Sequence, residues 1–451
     1  MTKPNILLAV MDSVSADRLS CYGYHRSTTP EIDAFAEGST VYENAIANSS
    51  WTVPTHGTLF TGRYPSEHGA HARHKRFSVP DGHTLAGQLS DNGYRTVGLS
   101  TNPWIATDFD YDTGFDDFQD IRVSLPFDTK RPRELFQRID DGDNQGYRKY
   151  IEAGKWAFEG NPIKRTINTI YYRQHQDSYA DADVLNDRVA TWLEQNDDRP
   201  FFMFLNYMDA HEPYNPPEEY LSKFREGDCS ADIAWHLRSL NEKYSSSETE
   251  CINDRYDACL NYLDERIGDL IALLEKRDLA DDTIVILTAD HGKCLGEHDY
   301  MGVGTYLYDE LVQIPLIISH PGESESKTSS EYVSQIDIHN MILRSAGIGQ
   351  TRGRKDGVVS ETLGPHQDVT VHDQPLPEQG LRRIDAKDYN LIRDLATGEI
   401  TQPTSLPEQA QMTLEGIEDE YEKSHEPIYD ETGEEEMTAD VKNQLEQLGY
   451  L

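Results

Sequence analysis

The chain has 451 residues, 80 of them acidic and 41 basic, for a formal net charge of −39 at pH 7. Its length excludes a peptide or mini-domain and fits about three units, or one large α/β domain with an appendage. The charge argues against nucleic acid and against a membrane as partners, while 10% aromatic residues and recurrent apolar runs leave enough to build a core.

The start, MTKPNILLAVMDS, carries one short apolar run, Ile6–Met11, stopped by Asp12. It is too short to span a membrane and no cleavage site follows, so it predicts a buried first strand. Further short apolar runs predict strands at Thr96–Ser100, Phe201–Tyr207, Thr283–Thr288 and Ile314–Ser319. Helical spacing lies between them. Val184, Val189, Trp192 and Leu193 precede the Phe201 run, and Leu260, Leu263, Ile267, Leu270, Ile271 and Leu274 share one face of 259–275. This alternation predicts an α/β fold, with a mostly parallel central sheet covered by helices on both faces.

The stretch 120–180 is polar and irregular and is expected to be a surface insertion within a main domain of residues 1–350. Beyond it, a small C-terminal α+β subdomain over 351–451 is expected. Asp368–His372, Leu381–Ile384 and Tyr389–Arg393, with the turn Thr397-Gly398, suggest short antiparallel strands. Residues 415–436 hold eleven acids against one lysine and predict a solvated segment. Ala439–Leu451 has the amphipathic pattern of a docked terminal helix.

Acids are spread through every hundred residues, and arginine outnumbers lysine. Such a shell is tolerable in molar salt, where the screening length falls to about 3 Å. A salt-adapted, cytoplasmic protein is the expectation. The five cysteines, Cys21, Cys229, Cys251, Cys259 and Cys294, form no CxxC pair. Free thiols in a reducing compartment are expected, with a Cys229–Cys251 or Cys251–Cys259 bridge as the open alternative.

The chemistry collects at strand ends, where open α/β sheets bind ligands. The first strand runs into Asp12-Ser13. Strand 283–288 runs into Asp290-His291-Gly292, and strand 201–207 into Asp209-Ala210-His211. Asp and His together suit a divalent cation; for Asp12 alone a helix cap is the simpler reading. A second segment, Ser50-Trp51-Thr52-Val53-Pro54-Thr55-His56-Gly57, places proline where a helix begins. Thr52 then precedes free backbone N–H groups, either as a cap or as a nucleophile activated by the metal.

The order of these elements resembles the sulfatase family of the alkaline-phosphatase superfamily. NILLAVMDSVSADRLSCYGY resembles its first strand and metal acid, and TVPTHGTLFTGRYPSEHG its signature. NGYRTVGLSTN, GFDDF, MDAHEPYNPP, ILTADHGKCLGEH, DELVQIPLIISHPG, VSQIDIHNMILRSAGI and the closing LEQLGYL also match, covering residues 4–348 and the extreme C-terminus. The resemblance implies that Asp12, Asp290, His291 and Thr52 surround one divalent metal ion (Mn²⁺, Zn²⁺, Mg²⁺ or Ca²⁺). It implies a catalytic Thr52, with His56 at the signature arginine and His211 contacting the transferred group. Asn102, Lys293 and His298 become substrate-binding residues, and Ser13 a weak ligand at most.

Departures from the pattern narrow the chemistry. Sulfatases convert Cys or Ser at the nucleophile to formylglycine; threonine oxidation would give a ketone, so no formylglycine is expected. Val303 stands about where relatives carry a lysine, and Ser100–Asn102 replaces another basic position. Thr is the nucleophile pattern of phosphodiesterases, phosphonoacetate hydrolases and phosphoethanolamine transferases in the superfamily. The expected function is therefore a metal-dependent hydrolase of sulfate or phosphate esters, a phosphate mono- or diester or phosphonate being favoured. Its substrate is expected to be an anionic ester, small molecule or glycan. The alternatives are a phospho-group transferase to a sugar or lipid hydroxyl, or a non-catalytic sulfatase-like binding protein.

Overall fold

The computed structural model describes residues 3–79, 83–121, 161–167, 180–195, 199–227, 244–323, 325–349, 357–365, 377–387, 389–402 and 406–424. Most of the 120–180 stretch, the expected strand Asp368–His372 and the expected helix Ala439–Leu451 lie outside the described residues.

Strand β1 (Asn5–Met11) lies mid-sheet because both its faces are apolar: Ile6 to Met11 are fully buried. It is followed by helix α1 (Pro30–Ala36), β2 (Thr40–Ile46) and helix α2 (Thr52–Thr61). Then come β3 (Arg95–Ser100), β4 (Asp117–Asp120), β5 (Phe201–Tyr207) and β6 (Thr283–Ala289). A two-residue ribbon, β7 (Cys294–Leu295) with β8 (Met301–Gly302), precedes β9 (Leu316–Ser319) and β10 (Lys327–Ser334). The eight-stranded sheet runs β10-β2-β9-β6-β1-β5-β3-β4. Every pairing is parallel except those of β9, which is antiparallel to β2 and β6.

The expected mostly parallel sheet is present, with differences that have local causes. β9 begins at Leu316, two residues later than its apolar run, because Pro315 has no N–H for a ladder. β4 and β10 have few buried positions and so lack an apolar run to read. The helix expected over 259–275 is the C-terminal part of a longer one, Ser246–Lys276, started by a capping box in which Ser245 and Glu248 satisfy each other's backbone N–H groups. Its buried Leu260, Leu263, Ile267 and Leu270 contribute about 1.5–3 kcal/mol each. The helix Ala182–Glu194 precedes β5 as expected, but it buries Leu185 and leaves Val184 38% exposed.

A second, antiparallel sheet follows, in the order β11 (Val358–Glu361), β12 (Leu381–Ala386), β13 (Tyr389–Asp394) and β14 (Ile400–Gln402). The expectation that 415–436 is a solvated segment is wrong for its first part. Residues up to 424 belong to a helix, Glu408–Ser424, that buries Leu414, Ile417 and Tyr421 against Val359, Ile384 and Leu391. Its charge density hid this apolar stripe, and Glu418 is neutralised by Arg393 at 2.9 Å and Arg382 at 3.3 Å. Cys21, Cys259 and Cys294 are free, but Cys251 is disulfide-bonded. That bond excludes the Cys251–Cys259 alternative and weighs against an all-thiol, reducing environment. Among the described residues, no helix is long and apolar enough to cross a membrane.

Candidate metal centre and active site

The parallel strands β6, β1, β5 and β3 are neighbours, so their carboxyl ends open on one edge. Asp12 follows β1, Asp290 and His291 follow β6, Asn102 follows β3, and His211 follows β5. All five are buried. One ligand atom from each of Asp12, Asp290 and His291 falls within 4.8 Å of the others.

Hydrogen bonds fix these side chains from behind. Asp290 Oδ1 accepts the backbone N–H of His291 at 2.8 Å and of Ser13 at 3.1 Å. Ser13 holds a left-handed backbone, φ 59°, and its hydroxyl donates to Asp12 Oδ1 at 2.8 Å. The expected weak ligand thus orients Asp12. Asn102 Nδ2 donates to Asp12 Oδ2 at 2.7 Å, while its Oδ1 accepts from Trp104 N at 2.8 Å, which assigns the amide's orientation. His291 Nδ1 lies 2.7 Å from the Gly292 carbonyl and donates to it, leaving the Nε2 lone pair facing the cluster.

Thr52 opens helix α2. Its Oγ1 lies 3.3 Å from Asp12 Oδ2 and 3.3 Å from His291 Nε2. No side chain caps this helix, whose first-turn Pro54 lacks an N–H. Its leading backbone donors therefore have no side-chain cap, a setting that favours an anion. Residues 52–63 contain no acid, so this segment brings no negative charge of its own to the cluster.

Burial and mutual charge set the electrostatics of the cluster. Burial, together with the charge of Asp12, pushes the Asp290 carboxyl well above the usual range. Burial acts on Asp12 too, but His211, His291, the Ser13 hydroxyl and His56 outweigh it and hold it low. Asp290 Oδ2 has no hydrogen-bond donor, although His291 Nε2 is 3.4 Å away. Two buried carboxylates and an imidazole lone pair converging this way fit a divalent cation.

The other expected residues occupy different places. His211 Nδ1 donates to the Glu212 carbonyl at 2.7 Å, and burial, then Lys293, keeps its ring neutral. The Lys293 ammonium is paired with the Glu212 carboxylate. Burial draws this lysine down to about 7, with Asp12 and then Cys294 working in the opposite direction. His56 is buried behind the start of α2, edge-on to Phe60 and Phe204, with Nδ1 2.9 Å from the Thr52 carbonyl. Burial lowers it to about 4. His298 stacks on Tyr308 at 3.9 Å and pairs with Glu310 at 3.0 Å, and no contact joins it to the cluster. Asp209 Oδ1 caps the helix Ala182–Glu194 through the Ala182 N–H and takes no part in the site.

Sequence reading missed two neighbours. Glu212 was masked by the histidine beside it. Lys75, 7% exposed, places its ammonium 4.8 Å from the rings of both Trp51 and Trp104, the first adjoining Thr52 and the second bonded to Asn102. A lysine within a run of basic residues gave no signal of such a cage.

Residues 4–348 match the sulfatase family model. The chain belongs to the sulfatase family. A similar relative, an uncharacterised sulfatase of Escherichia coli K12, is 24% identical over 77% of this chain and 69% of its own length. The N-acetylgalactosamine-6-O-sulfatase of Bacteroides thetaiotaomicron is 25% identical, covering 74% of this chain and 71% of the relative. Among solved structures, the phosphonate monoester hydrolase of Agrobacterium radiobacter superposes with a TM-score of 0.63 at 17% identity, over 93% of this chain and 95% of that one. A protein solved with its substrate D-glucosamine-2-N,6-O-disulfate gives 0.62 at 16% identity, over 99% and 98%. These likenesses establish the fold of this sulfatase-family chain, a large mostly parallel sheet with a small antiparallel one.

Proposed function

We propose that this sulfatase-family hydrolase cleaves an anionic phosphate or phosphonate ester through Thr52. The observation that carries this is the Thr52 hydroxyl, 3.3 Å from both Asp12 and His291 at an uncapped helix start. The methyl on its β-carbon bars the oxidation to an aldehyde that sulfate transfer in this family uses. Phosphorus needs no such aldehyde, because water can displace threonine from it in line.

Asp12, Asp290 and His291 would hold one divalent cation, and the imidazole favours Mn²⁺ or Zn²⁺ over Ca²⁺. When bound, it supplies positive charge to the ester oxygens and makes the threonine hydroxyl more acidic. Thr52 Oγ attacks phosphorus, and Asp12 Oδ2 accepts its proton. The bond to the leaving oxygen breaks, and Lys293, steadied by Glu212, provides the proton for that oxygen. Water then attacks phosphorus and the Oγ–P bond breaks; Asp12 returns its proton to the departing Oγ, and His211 Nε2, whose ring is neutral, accepts the water's proton, which restores the one Lys293 gave up. His56 holds the Thr52 carbonyl and so the helix start.

The test is a panel of nitrophenyl phosphate, bis-nitrophenyl phosphate, a phenylphosphonate monoester and nitrophenyl sulfate, assayed in molar salt with Mn²⁺. Phosphorus esters are expected to turn over fastest, and Thr52→Ala to lose on the order of a thousandfold or more in kcat. Preference for the sulfate ester, or full activity in Thr52→Ala, would overturn the reading.

A further inference from the structure

Asn206 is the penultimate residue of β5 and has no solvent exposure. In register it stands between Val10 of β1 and Ser100 of β3. Side chains alternate along a strand, so Asn206 shares a face with Phe204, two residues earlier. Phe204 meets the ring of His56 edge-on, with centroids 5.8 Å apart. Asn206 therefore lies on the face covered by α2, one pleat nearer the strand ends than Phe204.

Its backbone is satisfied: the carbonyl accepts from Thr101 N at 3.2 Å and Thr101 Oγ1 at 3.0 Å. Its side chain is not. Among the described residues, neither Nδ2 nor Oδ1 has a hydrogen-bond partner, and neither does His56 Nε2, equally buried. Three buried polar atoms without partners are a heavy penalty for a native fold. They lie on the same face of the sheet, beneath the first turn of the helix that carries the nucleophile.

The tautomer of His56 is fixed from its other side. Nδ1 faces the Thr52 carbonyl at 2.9 Å and the Asp290 carboxylate at 3.7 Å, both acceptors. A lone pair there would be repelled by both, so Nδ1 carries the proton. Nε2 is then an acceptor that needs a donor. Among the described residues, no group supplies one. A carboxamide offers a donor and an acceptor, and water can relay between such a group and an imidazole nitrogen.

We propose that Asn206 and His56 Nε2 bind an internal water, which donates to Nε2, and that Asn206 is thereby a positioning residue for Thr52. The water completes the chain Asn206, water, His56, Thr52 carbonyl. This chain holds the first turn of α2 at the geometry the attack requires. Its catalytic consequence rests on the proposed role of Thr52; its structural content does not.

The experiment has two arms. A high-resolution crystal structure of the full chain is expected to show one ordered water in hydrogen-bond contact with His56 Nε2 and the Asn206 amide. A long-range ¹⁵N imidazole spectrum is expected to report His56 as the Nδ1–H tautomer, with Asn206→Leu, and to a lesser degree Asn206→Ser, shifting its Nε2 resonance. On the best phosphorus ester, Asn206→Leu is expected to lower kcat about tenfold with KM unchanged. A direct Asn206–His56 contact, an apolar group filling the space, or an Nε2–H tautomer in the wild type would overturn the proposal. So would a Leu variant whose spectrum and kcat match the wild type. If no ester is hydrolysed at all, the proposed function fails, and the crystal and spectrum still decide this one.

Discussion

Gly292 shows how tightly the candidate metal cluster is bound to the scaffold. It follows His291, and its N–H donates to the Leu311 carbonyl at 2.9 Å. A Cβ at this position would overlap the Glu310 carbonyl oxygen and stand 2.7 Å from Ser15 Oγ. An ordinary contact is roughly 3.5 Å, so relief needs a movement of about 1 Å. Neither obstacle is free to move. Ser15 Oγ already donates to the Glu310 carbonyl at 2.9 Å and accepts from Lys293 N at 2.9 Å. The displacement must pass into the Asp290-His291 segment. A misplacement of this size at a reacting centre costs on the order of a hundredfold in rate. We expect Gly292→Ala to lose about that factor in kcat/KM and to bind Mn²⁺ more weakly by calorimetry, while circular dichroism still reports a folded chain. Wild-type metal affinity and turnover within threefold would refute the rigid coupling of this loop to the site.

Other outcomes follow from the same structure. Gly416 lies inside the helix Glu408–Ser424 with nothing near its missing Cβ, so Gly416→Ala should raise stability by about 1 kcal/mol, read from denaturant midpoints. His339 is buried on the Leu59 carbonyl, and burial lowers it from 6.5 to about 4. A depressed histidine adds stability that is fully present above pH 6.5 and lost as pH falls toward 4; at pH 5 the loss is about 2 kcal/mol. His339→Leu should therefore lose less stability than the wild type between pH 7.5 and 5, and an equal loss would contradict the assignment. Glu212→Gln removes the carboxylate partner of buried Lys293 and should destabilise by about 3–5 kcal/mol. Adding Lys293→Met should restore stability without restoring turnover; recovery of both would remove Lys293 from the mechanism.

How much was legible in advance depended on where each residue sits. Asp12, Thr52, Asn102, His211, Asp290 and His291 could be read because each follows an apolar strand or opens a helix, so order along the chain places them at one edge. Asn206 could not, because inside the run FFMFLNY it looks like one more core position. Glu212 and Lys75 owe their places to loop geometry that carries no periodic signal. His298 resembled a site residue by motif, yet its ring belongs to Tyr308 and Glu310. The helix Glu408–Ser424 was hidden for a different reason. Its acids outnumber its apolar residues, and only the spacing of Leu414, Ile417 and Tyr421 betrays the buried face.

The opening charge also reads differently once the site is described. The segment that carries Thr52 has no acid between residues 52 and 63. An anionic substrate is thus compatible with a strongly acidic chain. The central claim is covalent transfer to Thr52, and mass spectrometry of protein quenched in acid during turnover of a phosphate ester tests it most directly. The account predicts one added phosphoryl group on the peptide containing Thr52, absent from Thr52→Ala. Turnover with no adduct on that peptide, in a quench fast enough to trap it, would contradict the account.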